Sequence, residues 1–389
     1  MKKFILAGIG IIVAVVIAAV LWGVLVLSDL PDVSVLKHYR PAAASEVLDR
    51  EGRVLAQYYD RKFRIWVPLS SLPDIIIQAV VTAEDDTFFE HKGVNYKATW
   101  DALVHDAQKK RFARGGSTIT QQMIKNVLLS KEKTISRKVR EYVLARRAEE
   151  LISKRRILEI YLNEVEWGDG IYGVEAAGRS YFDKHATELT VAEAALLAGM
   201  LPNPRYYDPF KRQNKARDRQ ERVLSNMLQA KLITADEFTA AMEAPLELRD
   251  ERSGTVDRAG LTGGRGRRCY QNVLEQVLLA VVGERTLYRS GDTIRTTLDG
   301  RLQEELASWE ETQPGQGSEA SDQITVVKEG EEIRALSCSP AAETQARLVP
   351  GSNETMPGAP AKEYTVNTVS VDSVTRGQIL GTGPATDTQ

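Results

Sequence analysis

Glu84 closes an apolar run, IIIQAVVTA, at residues 75–83. A carboxylate at the end of an apolar segment is a candidate general base, because partial desolvation lifts its pKa toward neutrality. An ordinary exposed acidic helix end fits the same residues. Downstream, GGSTITQQ at 115–122 places small residues, hydroxyls and amides at a helix start. Such a start offers N–H groups and side-chain donors to an anion. A helix capped by Ser117 or Thr118 explains it as well. Lys125 follows one turn on. From Lys125 to Arg156 there are eleven basic residues against four acidic ones, in a chain that is otherwise balanced. A helix starting near Lys133 puts Lys133, Arg137 and Glu141 on one face and Ile135, Val139 and Val143 on another. A carboxylate beside two cations suits a pyrophosphate site with a second acid, or a bound divalent cation. A solvated helix face with an Arg–Glu pair has the same spacing. His91 lacks an H-x-x-x-H partner and reads as structural rather than as a metal ligand. The stretch 157–182 alternates glycines (Gly168, Gly170, Gly173) with aromatics and reads as core architecture.

The elements that must position these groups follow from periodicity. Residues 46–67 alternate apolar and polar around Glu51-Gly52 and predict a β-hairpin. Residues 72–250 are mostly helical by pattern: Leu72-Pro73-Asp74 opens a helix through Ala83, and Thr99–Gln108 is a short amphipathic piece. Further helices are predicted at 119–129, 135–152, 154–161, 190–201, 217–230 and 234–244. The 190–201 segment is apolar nearly all round and should be buried. Thr234 followed by Glu237 reads as a capping box. After Ser253 the composition shifts to Gly and Arg, which fits a linker. A helix at 273–282, a strand at 293–298 and a strand pair at 323–338 turning at Glu329-Gly330 follow. The last fifty residues are expected to lack a packed core.

The whole chain has 389 residues, 27% of them charged and 43% hydrophobic. That is room for one large core and a smaller one. A formal charge of −2 excludes nucleic-acid binding through bulk charge. Two cysteines, Cys269 and Cys338, exclude a disulfide scaffold or a Cys-rich metal site. Phe4 to Leu27 carries no charge. As a helix this run spans roughly 36 Å, enough to cross a hydrocarbon core of about 30 Å. Lys2 and Lys3 precede it and Asp29 and Asp32 follow, so the remainder is expected outside the cell. A cleaved signal peptide has a shorter apolar region than this. An external location would permit Cys269 to pair with Cys338.

In order and spacing, these stretches resemble the peptidoglycan glycosyltransferase family (glycosyltransferase family 51), found in monofunctional transglycosylases and class A penicillin-binding proteins. ED-x-x-F-x-x-H-x-G is matched by Glu84, Asp85, Phe88, His91 and Gly93, and GGSTITQQ at 115–122 matches without a gap. R-K-x-x-E is matched by Arg137, Lys138 and Glu141, and ILE-x-YLN-x-V-x-x-G by 157–168. YF-x-K follows at Tyr181, Phe182 and Lys184, and an AEAA…LPNP motif closes the series at Leu189–Pro204. The resemblance covers about residues 46–250. It implies a mainly α, lysozyme-like glycosyltransferase domain with an N-terminal transmembrane helix, in the bacterial cytoplasmic membrane with the N-terminus in the cytoplasm. The implied activity is polymerisation of lipid II into β-1,4 glycan by an inverting single displacement, with release of undecaprenyl pyrophosphate. Glu84 matches the family's base. Glu141 matches its second carboxylate, and a divalent cation there, magnesium or manganese, is the one cofactor implied. Lys125, Lys133 and Arg137 match phosphate-contacting positions, while Ser117, Thr120 and Gln122 match polar residues of the cleft. Residues 94–114 fall where the family has a membrane-facing loop. Lipid II, the growing glycan, the membrane and other cell-wall synthesis proteins are the implied partners, without nucleic acid.

Beyond residue 250 the resemblance is incomplete. A linker at 251–269 is expected to lead into a small α+β remnant at 270–340, where RTTLDGRL and ITVVKEGEEIRAL resemble the approach to a transpeptidase domain. Neither Ser-x-x-Lys nor Lys-Thr-Gly occurs after residue 300, so transpeptidase activity is not expected. Residues 1–28 are expected to form the anchor and 29–45 a linker. Two rival readings remain. The lysozyme-like fold also hosts glycan hydrolases with a catalytic Glu, but these need no pyrophosphate site. A catalytically silent membrane scaffold would have no need of Glu84 and Glu141.

Overall fold

A computed structural model describes residues 2–97, 100, 116–130, 132, 134–249, 258–260, 269–302, 324–329, 332–338, 351–354 and 365–368. The expected piece at 99–108, most of the 94–114 loop, Lys133, and the linker at 253–268 but for 258–260 lie outside these residues, as do the side chains of Cys269 and Cys338. The chain divides into two compact units, one of residues 1–41 and 66–249, the other of 42–65 and 250–389.

The first unit is helical. Helix α1 (Lys2–Leu27) contains the 19-residue stretch Ile9–Leu27, with mean hydropathy 3.0, long and apolar enough to cross a membrane. Within Ile9–Leu27 the apolar side chains are exposed, Leu25 at 70% and Ile11 at 66%, with Val26 buried at 6%; a lipid-facing helix requires such exposure and a core helix does not. The stretch expected to be a plain linker is docked instead. A 3-10 turn at Val33–Lys37 is capped by Asp32, and Leu36 is fully buried. Arg156 donates to the carbonyls of Leu36 at 3.3 Å and Tyr39 at 2.6 Å. The Tyr39 hydroxyl donates to Glu164 at 2.7 Å.

Helix α2 (Asp74–Glu84) buries Ile76, Ala79, Val80 and Val81 against α7 (Val191–Met200) and α8 (Gln213–Gln229). Helix α7 is buried on every side from Ala192 to Met200, as its uninterrupted apolar pattern requires. Around this core lie α3 (Ile119–Leu128), α4 (Ile135–Leu151), α5 (Lys154–Glu164), α6 (Val174–Phe182) and α9 (Ala235–Glu243). Caps set their starts. Thr118, Thr134, Ser153, Thr190 and Thr234 each accept a backbone N–H, and at Thr118, Thr190 and Thr234 the reciprocal capping box is complete. A short hairpin pairs Glu166–Gly168 with Ile171–Tyr172, turning through Gly170 at φ 75°.

The second unit holds a sheet ordered Arg258–Gly260, Val54–Tyr59, Ser45–Leu48, Thr293–Arg295. The expected hairpin forms, with Ser45–Leu48 antiparallel to Val54–Tyr59 and Gly52 at φ 89° in the turn. Buried Asp49 holds the turn by accepting from the backbone of Glu51 and Arg53 at 2.8 Å each. Sequence pattern groups this hairpin with the helical domain, whereas the contacts place it with the residues after 250. The reason is a parallel pairing of Glu46–Leu48 with Thr293–Arg295, far along the chain. Helices α10 (Cys269–Val282) and α11 (Glu284–Arg289) belong to the same unit. A second sheet, ordered Gly351–Glu354, Thr365–Thr368, Ile324–Glu329, Glu332–Cys338, contains the expected strand pair. It also takes two strands from the tail expected to lack a core, because Thr365–Thr368 finds a partner edge in Thr325–Lys328.

Candidate active site

The end of α2 and the start of α3 are tied together by Asp85. This residue, 8% exposed, accepts from the Ile119 backbone N–H at 3.0 Å and meets His91 Nε2 at 3.0 Å. His91 is thus paired with the residue that joins the two helices. Thr118, the cap of α3, donates to the Gly93 carbonyl at 2.7 Å. Gly93 has φ +88°, and a Cβ there would lie 2.7 Å from the Ala145 carbonyl oxygen on α4. The glycine is required twice over, by its backbone angle and by the close approach of α4.

This framework sets Glu84 beside α3. Gln122 Nε2 donates to Glu84 Oε2 at 2.7 Å. Burial raises the Glu84 pKa; the Gln122 bond and the charges of Arg219 and Lys125 oppose the rise, and Asp85 adds to it. Behind Gln122 stands Tyr161 of α5, with no exposed surface, its hydroxyl 3.3 Å from Gln122 Oε1. Burial and the two carboxylates, Glu84 and Asp85, push the Tyr161 pKa well above its ordinary value, so the hydroxyl keeps its proton.

The second cluster centres on Glu141, 2% exposed on α4. Arg137 Nη1 donates to Glu141 Oε2 at 2.9 Å. Lys138 Nζ donates to Glu141 Oε1 and, at 2.7 Å, to Ser117 Oγ. Lys125 links the two clusters electrostatically. Its pKa is lowered chiefly by burial; Glu141 opposes the shift, Arg137 and Lys138 add to it, and Glu84 opposes it. An anion approaching Lys125 therefore meets three cations, of which Arg137 and Lys138 are held in place by one carboxylate.

The expected site residues divide accordingly. Glu84, Gln122 and Lys125 gather at one end, and Glu141, Arg137 and Ser117 at the other. Thr120 joins neither cluster. It is fully buried, and its hydroxyl donates to Glu149 Oε1 at 2.5 Å, an oxygen that Lys154 also contacts at 2.7 Å. Its position on α3 faces the core because the helix turns Gln122 and Lys125, not Thr120, outward. Lys133 lies outside the described residues. Helix α4 begins at Ile135, as the periodicity over 135–152 predicts and two residues after the start near Lys133 assumed for the charged face, because Thr134 caps it through the Arg137 N–H. Local pattern gives no role to Tyr161 or Arg219. Lys138, three residues before Glu141, carries a visible signal in its spacing.

The donor set does not fit a resident divalent cation. Both Glu141 oxygens already accept from cations, so an ion there would displace one and face the other. Among the described residues, no three His, Cys, Asp or Glu side chains converge to hold a metal.

Residues 51–228 match the family model described as Transglycosylase. This segment is a transglycosylase domain. The chain is 38% identical over 251 residues to penicillin-binding protein 1A of Aquifex aeolicus, covering 64% of this chain and 34% of that one. It is 32% identical over 282 residues to penicillin-binding protein 1A of Rickettsia prowazekii, covering 71% and 34%. A crystal structure of penicillin-binding protein 1A from Haemophilus influenzae aligns at 21% identity with a TM-score of 0.36, over 69% of this chain and 29% of that one. The chain spans about a third of the length of the curated relatives it matches. Glu84, Gln122, Lys125, Arg137 and Glu141 all fall within the segment matched by the transglycosylase model.

Proposed function

We propose that the chain is a membrane-anchored peptidoglycan glycosyltransferase that polymerises lipid II into β-1,4 glycan. The observation that carries this reading is the charge layout of the transglycosylase domain. A desolvated Glu84 sits at one end of a run of cations, Lys125, Arg137 and Lys138, that ends on buried Glu141. Hydrolysis of an uncharged glycosidic bond would call for no such cation run.

In this reading Glu84 takes the proton from the acceptor's 4-hydroxyl as that oxygen bonds to C1 of the lipid-linked donor. The bond from C1 to the pyrophosphate oxygen breaks, and its electron pair leaves with undecaprenyl pyrophosphate. Attack opposite the α-linked leaving group yields the β linkage. Lys125, Arg137 and Lys138 stabilise the charge growing on the pyrophosphate, already oriented before the reaction. Glu141 acts by holding two of those cations in place. The raised pKa of Glu84 suits a base working near neutral pH. Helix α1 keeps the enzyme where its substrate's lipid tails lie. Lys2 and Lys3 favour a cytoplasmic N-terminus with the catalytic domain outside.

The test is polymerisation of labelled lipid II by the full chain in detergent, beside Glu84→Gln. Long glycan from the wild type and none from the variant is expected. Glycan from both would remove Glu84 as the base. Glycan from neither, while a control enzyme is active, would favour a silent scaffold.

A further inference from the structure

Gln122 presents two chemically opposite atoms at its tip, and only one suits an ionised neighbour. With Nε2 toward Glu84, the amide donates to the carboxylate. With Oε1 toward it, the amide repels the carboxylate and would accept a proton from the neutral acid. The Gln122 contact to Glu84 does not by itself choose between these, since the side-chain amide can turn over. The other end of the amide does. Tyr161 is buried and keeps its proton, and Gln122 Oε1 at 3.3 Å is the acceptor for that proton among the described residues; a turned amide would offer the hydroxyl only a donor, so the oxygen is held away from Glu84.

We infer that Tyr161 is a positioning residue for the Glu84 base, acting through Gln122 by fixing which atom of the amide faces the carboxylate. The inference rests on the proposed role of Glu84. Tyr161 touches no reacting atom in this scheme. The ionisable groups around Glu84 are Asp85 beside it, Lys125 on α3, Arg219 on α8 and Tyr161 itself on α5. The single carboxylate of α7, Glu193, is bonded to Lys184 and to the Thr190 N–H. Loss of the tyrosine proton donor leaves all these charges in place and frees only the amide. The turned amide favours the protonated acid, so a base that must be ionised is lost on the acidic side.

The experiment measures kcat and KM for lipid II polymerisation against pH in full-length wild type, Tyr161→Phe, Gln122→Met and the double variant. In Tyr161→Phe the acid limb of kcat should move up by about one pH unit, a roughly tenfold loss on that side, with KM little changed. Adding Tyr161→Phe to Gln122→Met should move the limb no further, because the amide through which it acts is gone. An unmoved limb in Tyr161→Phe overturns the inference. So does a shift of equal size in both backgrounds, which would make the effect independent of Gln122. A second readout needs no turnover: the Glu84 carboxylate infrared band, isolated by subtracting Glu84→Gln spectra, titrated against pH in each protein. The band should titrate higher in both single variants than in wild type, and unchanged titration overturns the inference. Inactivity of the wild type with a shifted band would instead refute the catalytic reading of Glu84 while leaving the Tyr161–Gln122 coupling intact.

Discussion

Burial disfavours the charged form of Glu84, and that has a cost in stability. An acid whose pKa is higher folded than unfolded favours the native state while protonated. That contribution is lost as pH rises from the ordinary carboxylate range through the raised folded value. Glu84→Gln should therefore unfold at a higher temperature than wild type near neutral pH, with the difference shrinking as the pH falls below that window. Thermal unfolding of both proteins across pH checks this, and a constant difference would contradict it. Glu141 has both its oxygens paired. Glu141→Ala leaves Arg137 and Lys138 facing each other and Lys125. The stability loss should fall short of the roughly 3–5 kcal/mol of a broken fully buried pair, because Lys138 is 38% exposed and can turn to water. Activity should fall further than stability, as the cations lose their fixed places. Denaturant titration beside steady-state rates separates the two effects.

At the scale of elements, the site depends on how α2, α3 and α4 meet. Thr118 caps α3 and also reaches the Gly93 carbonyl, so one hydroxyl joins a helix start to the loop after α2. Thr118→Ala should destabilise the domain by about 1–2 kcal/mol. Glu84 is not touched by this change, but α3, which carries Gln122 and Lys125, loses its anchor, so KM should rise as well. Gly93→Ala is more severe. It places a methyl against the Ala145 carbonyl and forces a side chain onto φ +88°. A loss of about 2–4 kcal/mol is expected in denaturant unfolding. Periodicity and capping residues predict these helices to within a few residues. The hairpin at Ser45–Leu48 was legible too, but not its parallel partner at Thr293–Arg295, since no local pattern encodes a pairing so distant in sequence.

At the scale of the whole molecule, helix α1 belongs to the same compact unit as helices α2 to α9. Arg140 Nε donates to the Val26 carbonyl at 2.9 Å, at the last turn of α1, on the helix that also carries Arg137 and Glu141. Arg156 then secures the chain at Leu36 and Tyr39. A bond from a charged donor is worth about 1.5–3 kcal/mol. Arg156→Ala should therefore speed amide exchange across residues 33–41 by roughly tenfold or more, leaving α7 unchanged. Hydrogen exchange in detergent measures both regions at once, and equal rates in variant and wild type would show that the segment is held by other contacts.

Sequence alone determined the features whose causes are local. Apolar residues from Ile9 to Leu27 make a membrane-length helix, and Thr190–Glu193 and Thr234–Glu237 start two more through bonds that span three residues. The order of the motifs also placed Glu84, Lys125, Arg137 and Glu141 among the residues that could do chemistry. Only tertiary structure decided which of their neighbours join them. Thr120 and Gln122 sit two residues apart on α3, yet packing turns Thr120 to Glu149 and Gln122 to Glu84. Tyr161 and Arg219 reach Glu84's surroundings from helices remote in sequence. A helix's own residues fix its length and ends, but which face meets the Glu84 cluster depends on which surfaces the other helices bury.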